Sequence, residues 1–233
     1  MTLISPLIED ALHVFYPHLC YGCGTDLIEK HQLICSPCVF ELPKTNFESI
    51  ENNPVEKLFT GRLLLKAAYC EFYFSKGHTL QHLIHELKYK GNTDIGFFLG
   101  EWMGNSILNS GRFEEIDFIV PLPMFKDKEK KRGYNQAEIL SKGIGKIIQR
   151  PVKNNLISRN RATETQTRKH RTERWLNVDG SFVLNDPDAF TEKNILLVDD
   201  VITTGATLEA CGNVILKMPN TKLYIAALAQ AIK

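Results

Sequence analysis

Residues Ile195–Thr207 read ILLVDDVITTGAT, and this stretch decides the fold. Together with Asn194, the aliphatic run Ile195–Val198 ends on two acids, Asp199 and Asp200. An unbroken apolar run closed by acids and a glycine-containing turn reads as a strand buried on both faces, the kind that parallel sheets use. The turn passes directly into Ala206–Lys217, which has a helical pattern. Working outward, the alternation recurs. Leu63–Phe74 is β-rich, and Thr79–Tyr89 places Leu80, Leu83, Ile84 and Leu87 at helical spacing. Thr93–Leu108 reads as a second helix and Asp117–Leu122 as a strand stopped by Pro121 and Pro123, followed by a basic loop. Asn135 and Glu138 form a capping pair for a helix carrying Leu140, Ile144, Ile147 and Ile148, weakened by Gly143 and Gly145. Short strands near Ser181–Leu184 and at Leu223–Ala229 complete the pattern. Strands alternating with helices predict an α/β fold, a parallel sheet flanked by helices, with ligands beyond the carboxyl ends of its strands.

The turn after Asp200 has a chemistry of its own. Thr203, Thr204, Gly205, Ala206 and Thr207 set backbone N–H groups and three hydroxyls at a helix N-terminus. A phosphate dianion there meets both hydrogen-bond donors and the positive end of the helix dipole. Gly205 allows the backbone a close approach to such a group. The two acids cannot hold a phosphate; they can accept hydrogen bonds from sugar hydroxyls or orient a hydrated metal ion. A plain strand-to-helix turn with a threonine cap and solvated acids is the competing reading. The order strand, double acid, Thr-Thr-Gly-x-Thr, helix favours a sugar-phosphate loop.

The chain has 233 residues, 43% of them hydrophobic and 24% charged, which suits a soluble protein with a real core. No apolar run reaches the roughly 20 residues of a membrane helix, and the first residues lack the pattern of a signal peptide. A cytoplasmic protein with reduced cysteines and no membrane insertion is therefore expected. Net charge is only +1, yet Lys126–Arg174 holds 15 of the 28 basic and 5 of the 27 acidic residues. A cationic face on an acidic body is suited to meeting an anion.

Cys20-x2-Cys23 and Cys35-x2-Cys38 are separated by eleven residues. Each pair can bite one tetrahedral zinc ion, and Gly22 and Gly24 permit the tight turn between thiolates. Four thiolates leave no open position, so the ion would be structural, supplying folding energy to a piece too short for its own core. Four unrelated buried cysteines, or a redox pair, are the alternatives. Cys70 and Cys211 lie on apolar elements and read as core. Domain boundaries follow: a zinc knuckle over 1–45 and an α/β domain over 60–233.

The apolar strand, paired acids and Thr-rich loop resemble the phosphoribosyltransferase superfamily, whose members bind 5-phosphoribosyl-1-pyrophosphate (PRPP). By that resemblance, Asp199 and Asp200 would face the ribose hydroxyls while Thr203–Thr207 wrap the 5-phosphate, with Mg²⁺ accompanying PRPP. Joined to a four-cysteine knuckle, the chain is similar to the ComF family of competence-associated, zinc-ribbon phosphoribosyltransferase-like proteins. Leu87-Lys88-Tyr89-Lys90-Gly91, Val120-Pro121-Leu122-Pro123 and Arg132-Gly133-Tyr134-Asn135-Gln136-Ala137 fit the same family. So do Arg159, Thr163, Gln166, Arg171 and Asn177. Where that family is described with a double ribbon, this sequence has a single four-cysteine set.

Phosphoribosyl transfer needs no covalent nucleophile. It needs cations, backbone donors and Mg²⁺ around the departing pyrophosphate, and a lid against water. Arg132, in the loop after Pro121-Leu122-Pro123, is the first candidate for pyrophosphate contact, ahead of Lys131. Arg159, Arg161, Lys169 and Arg171 lie where the superfamily carries a flexible catalytic loop. A merely solvated basic surface is the plain alternative. Three functions remain open: a pentosyl transferase acting on PRPP and an unknown acceptor (a base or an ammonia-like nucleophile), a non-catalytic sensor of PRPP or nucleotides, and an accessory protein that meets single-stranded DNA or the competence machinery. Aromatic residues are thin in the basic segment, which weakens a stacking platform for single strands.

Overall fold

Ile195–Val198 and Ile225–Ala229 are fully buried, as are Ala68–Cys70, and this burial on both faces is why these apolar runs settle as central strands. The computed structural model describes residues 17–26, 32–75, 79–160 and 181–231. Within them the chain forms α1 (Ser36–Phe40), α2 (Pro54–Phe59), β1 (Ala67–Phe74), α3 (Thr79–Tyr89) and α4 (Thr93–Ser110). There follow β2 (Phe118–Pro121), α5 (Lys126–Arg132), α6 (Gln136–Ile148), β3 (Ile157–Arg159) and β4 (Phe182–Leu184). The last elements are β5 (Asn194–Ile202), α7 (Ala206–Ile215) and β6 (Lys222–Ala231).

The sheet runs β1-β6-β5-β2 with every pair parallel, and β3 and β4 form a separate antiparallel hairpin. Val152 adds a parallel bridge to Ile119 on the outer side of β2, with Ile119 N donating to Pro151 O at 2.9 Å. The chain therefore leaves β2 outward through α6, and later leaves β5 inward through α7. Right-handed crossovers in opposite directions put α6 and α7 on opposite faces. The order reverses between β2 and β5, so the crevice opens beyond their carboxyl ends.

The free edge of β1 is covered by residues 43–45. Tyr73 N donates to Pro43 O at 2.9 Å, Thr45 N donates to Glu71 O at 3.0 Å, and Lys44 bridges Phe72 antiparallel. Buried Asn53 caps α2 and donates to Ala68 O at 2.8 Å, so the edge carbonyls find partners.

On one face of the sheet, α4 crosses α6 at backbone contact. A Cβ on Gly100 would stand 2.3 Å from Leu140 O, and one on Gly143 would stand 2.3 Å from Phe97 O. Gly143, which reads as a helix weakness in sequence, is a residue this crossing requires.

The sequence also mistakes α5 for a loop. Asp127 and Glu129 in its first turn and Lys130, Lys131 and Arg132 in its last complement the helix dipole, and Gly133 ends it at φ +88°. Asn135 caps α6 by accepting from Ala137 N, whereas Glu138 pairs with Lys142 at 2.7 Å rather than closing a capping box. The hairpin partner Ile157–Arg159 is too short to leave a periodic signature.

Candidate functional site

β5 delivers Asp199 and Asp200 to the crevice. Because neighbouring strand residues point to opposite faces, the two carboxylates part company. Asp200 meets Lys88 from α3, with Nζ 2.7 Å from Oδ2. Asp199 lies on the side of α7 and the hairpin, within the field of Arg159 and beside the buried Cys211 thiol. Its Oδ1 also accepts from Asp200 N at 2.8 Å. Loss of water around its carboxyl, then repulsion from Asp200, lifts its pKa to about 7, against weaker attraction from Lys88 and Arg159.

Arg159 is the cation on the hairpin side. Its guanidinium lies 4.1 Å from the Phe125 ring centre and 5.1 Å from that of Phe182, and its buried Nε has no hydrogen-bond partner among the described residues. Two rings thus hold the guanidinium plane in place. Beside it is a cleft of about 360 Å³ between the loop after β2 and the hairpin, lined by Pro123, Lys126, Asn135, Arg159 and Asn185. Asn135 Nδ2 donates to Leu122 O at 3.0 Å, and Leu122 N donates to Val198 O at 2.8 Å, so the loop is tied to the end of β5.

Arg132 sits on the other flank. Its guanidinium is 5.5 Å from the Tyr89 ring centre and bonds the Gln136 amide, while the Tyr134 hydroxyl bonds Leu87 O. The segments 87–91 and 132–137 are therefore docked on one another. Arg171, like Arg161, Thr163, Gln166, Lys169 and Asn177, lies outside the described residues.

The Thr203–Thr207 turn is exposed at Thr203, Thr204 and Ala206, with Thr207 half-buried at the start of α7. Gly205 has φ +74°, and a Cβ there would stand 2.9 Å from the Phe59 ring, so glycine is demanded by packing as well as by backbone conformation. Arg62 supports the turn from behind: Nη1 donates to Thr204 O at 3.3 Å and to Leu58 O at 3.1 Å, and Nη2 pairs with Glu209.

The four knuckle cysteines converge. Their sulfurs all lie within 4.8 Å of one another, a spread that fits one tetrahedral ion, so Cys20, Cys23, Cys35 and Cys38 could hold a metal ion such as zinc. Gly22 N and Cys35 N approach Cys20 Sγ at 3.4 and 3.2 Å, donors that stabilise thiolate charge. The Thr25 hydroxyl, 3.2 Å from Cys23 Sγ, brings that thiol down to about 6. A Cβ on Gly22 would stand 2.8 Å from both Cys38 Sγ and the Thr79 side chain, so the knuckle is pressed against α3. Cys70 and Cys211 are fully buried.

Sequence reasoning missed Lys88 and Arg62. Lys88 lies on the predicted helix Thr79–Tyr89 and in the segment quoted for its resemblance, yet neither reading singled it out; an amphipathic helix ending at the site was the available signal. Arg62 carries no local pattern, since its partners Thr204 and Glu209 are far along the chain.

No family model matches the chain. It is 26% identical over 224 residues to Competence protein F of Haemophilus influenzae, covering 94% of this chain and 93% of that protein. It is 26% identical over 202 residues to DNA utilization protein YhgH of Escherichia coli K12, covering 85% and 78%. Over a shorter stretch of 100 residues it is 36% identical to Competence protein ComFC of Bacillus subtilis, 42% of this chain and 38% of that one. Among solved structures it overlaps the glutamine PRPP amidotransferase of B. subtilis with a TM-score of 0.44 at 15% identity, covering 62% of this chain and 30% of that one. No helix among the described residues is long and apolar enough to cross a membrane.

Proposed function

We propose that the crevice binds PRPP, or a related ribose 5-phosphate, with Mg²⁺, and that the protein transfers the phosphoribosyl group to an acceptor in a competence-related process. The observation that carries this reading is the convergence at one switch point of Asp199, Asp200 and the Thr203–Thr207 turn into α7. The turn would take the 5-phosphate, and the acids the ribose hydroxyls or hydrated Mg²⁺. Arg159 and Arg132, on opposite flanks, would meet the pyrophosphate, with Arg171 assigned to the same task by resemblance. What the cations contribute is stabilisation of charge building on the leaving group.

Calorimetry with PRPP and Mg²⁺ tests it. Saturable binding is expected, weakened at least tenfold by Asp200→Asn or Thr204→Ala, about what one charge-assisted hydrogen bond is worth. Absence of binding would remove both transferase and sensor readings. Pyrophosphate release over a panel of acceptors then separates those two.

The knuckle would hold one structural Zn²⁺. Metal analysis should give about one zinc per chain, lost in Cys20→Ser together with a fall in Tm; a metal-free wild-type protein of unchanged stability would refute it. The names of the relatives, competence and DNA utilization, favour a second reading in which single-stranded DNA or competence-machinery proteins are partners of the cationic segment. DNA affinity would then fall steeply with salt.

A further inference from the structure

Of the four knuckle cysteines, two are open to solvent and two are not. Cys23 is exposed and Cys35 half-buried, whereas Cys20 and Cys38 are only 3% and 2% exposed. The two reachable sulfurs also touch each other, Cys23 Sγ standing 3.6 Å from Cys35 Sγ. We propose that Cys23 and Cys35 form a redox modification site: a peroxide joins them in a disulfide, zinc leaves, and the knuckle loosens its hold on α3. This assignment rests on the reading of the four cysteines as a zinc site.

Access comes first. A zinc-bound sulfur is a thiolate, and thiolate character together with exposure decides which cysteine an oxidant attacks. Cys20 Sγ is enclosed by the amides of Gly22 at 3.4 Å and Cys35 at 3.2 Å. Cys38 Sγ is covered by the Gly22 turn, where a Cβ would stand 2.8 Å away. Cys70 and Cys211 are fully buried. The reactive sulfurs are therefore the pair on the knuckle's outer face.

The chemistry then balances. The Cys23 thiolate attacks one peroxide oxygen, the O–O bond breaks, and a sulfenic acid and a hydroxide result. The Cys35 thiolate attacks the Cys23 sulfur, forming the S–S bond and expelling a second hydroxide. Two electrons pass from the two sulfurs to the two peroxide oxygens, and each hydroxide takes a proton from the buffer. The sulfurs close from 3.6 Å to about 2.05 Å. Only two thiolates remain, too few to keep a structural zinc ion.

The consequence reaches α3. Thr79, its first residue, meets the knuckle twice: its methyl lies against Gly22, and its hydroxyl donates to the Glu41 carboxylate at 3.0 Å. The far end of the same helix delivers Lys88 to Asp200. One helix of 11 residues thus links the oxidisable pair to the crevice.

The test treats the zinc-loaded full-length protein with hydrogen peroxide. Zinc release is read with a coloured chelator, disulfides by peptide mass spectrometry, and the order of α3 by amide hydrogen exchange. Zinc release should rise in step with a Cys23–Cys35 disulfide, while Cys20 and Cys38 stay available to alkylation after denaturation. Exchange over Thr79–Tyr89 should quicken about tenfold, as for a local opening, and a dithiol with zinc should reverse all these changes. Cys23→His keeps a nitrogen ligand for zinc and removes the reachable thiol, so it should release zinc about tenfold or more slowly. A disulfide within one Cys-x2-Cys pair, oxidation of Cys20 or Cys38 ahead of Cys23, or unchanged exchange in α3 overturns the proposal. If Cys23→His does not load zinc, the disulfide map of the wild type decides alone. A wild-type protein that carries no zinc fails the zinc reading, and a Cys23–Cys35 disulfide formed on it by peroxide spares the pair.

Discussion

Asp199→Asn is expected to give a protein that is more stable at pH 8 and binds PRPP with Mg²⁺ at least tenfold more weakly. The carboxyl titrates near 7 because loss of water around it outweighs the attraction of Lys88 and Arg159. In the unfolded chain it returns to its ordinary value near 3.8. Between these values the native state holds the proton and the unfolded state does not, so stability falls as pH rises from about 4 to about 7. Asparagine has the same shape and no charge to desolvate, which removes that cost. Tm should rise by about 2–4 °C for each kcal/mol recovered. Binding should move the other way. A metal-linked ligand requires the carboxylate, so wild-type affinity should climb as pH passes through 7, and the variant should lose at least tenfold with no such dependence. Thermal melts and calorimetry at pH 6 and 8 check both halves. A variant no more stable than wild type at pH 8 would contradict the burial cost, and one that binds normally would place Asp199 outside the site.

Gly100→Ala and Gly143→Ala should each destabilise the domain severely, although alanine is the better helix former by about 1 kcal/mol. At both positions the new methyl would lie 2.3 Å from a carbonyl oxygen of the facing helix. Backbone cannot swing aside like a side chain, so α4 and α6 must separate. Overpacking of this kind costs about 3 kcal/mol or more, or roughly 6–12 °C in Tm for a chain of this size. The consequence reaches the crevice, because α6 begins at Asn135, whose amide holds the loop after β2. A melt showing either variant at or above wild-type Tm would mean that the helices do not meet this closely.

Much of the architecture is legible in the sequence because it rests on burial. Ile195–Val198 and Leu223–Ala229 can only be interior strands, and the paired Cys-x2-Cys spacing announces a cluster. What stays hidden depends on contacts remote in sequence. Gly143 reads as a weak helix residue until Phe97 O is placed against it. Consecutive acids read as one unit, whereas the pleat sends Asp199 toward Arg159 and Asp200 toward Lys88. The helix over Lys126–Arg132 hides because no apolar stripe marks it; its charges follow the dipole instead. Arg62 behind the Thr204 carbonyl has no sequence signal at all.

The most direct measurement is a crystal structure of the protein soaked with PRPP and Mg²⁺. The expected result is the 5-phosphate against the Thr203–Thr207 turn at the start of α7, the ribose at Asp199 and Asp200, and the pyrophosphate reaching Arg159 or Arg132. A PRPP molecule bound elsewhere, or a turn left empty at saturating ligand, would contradict it.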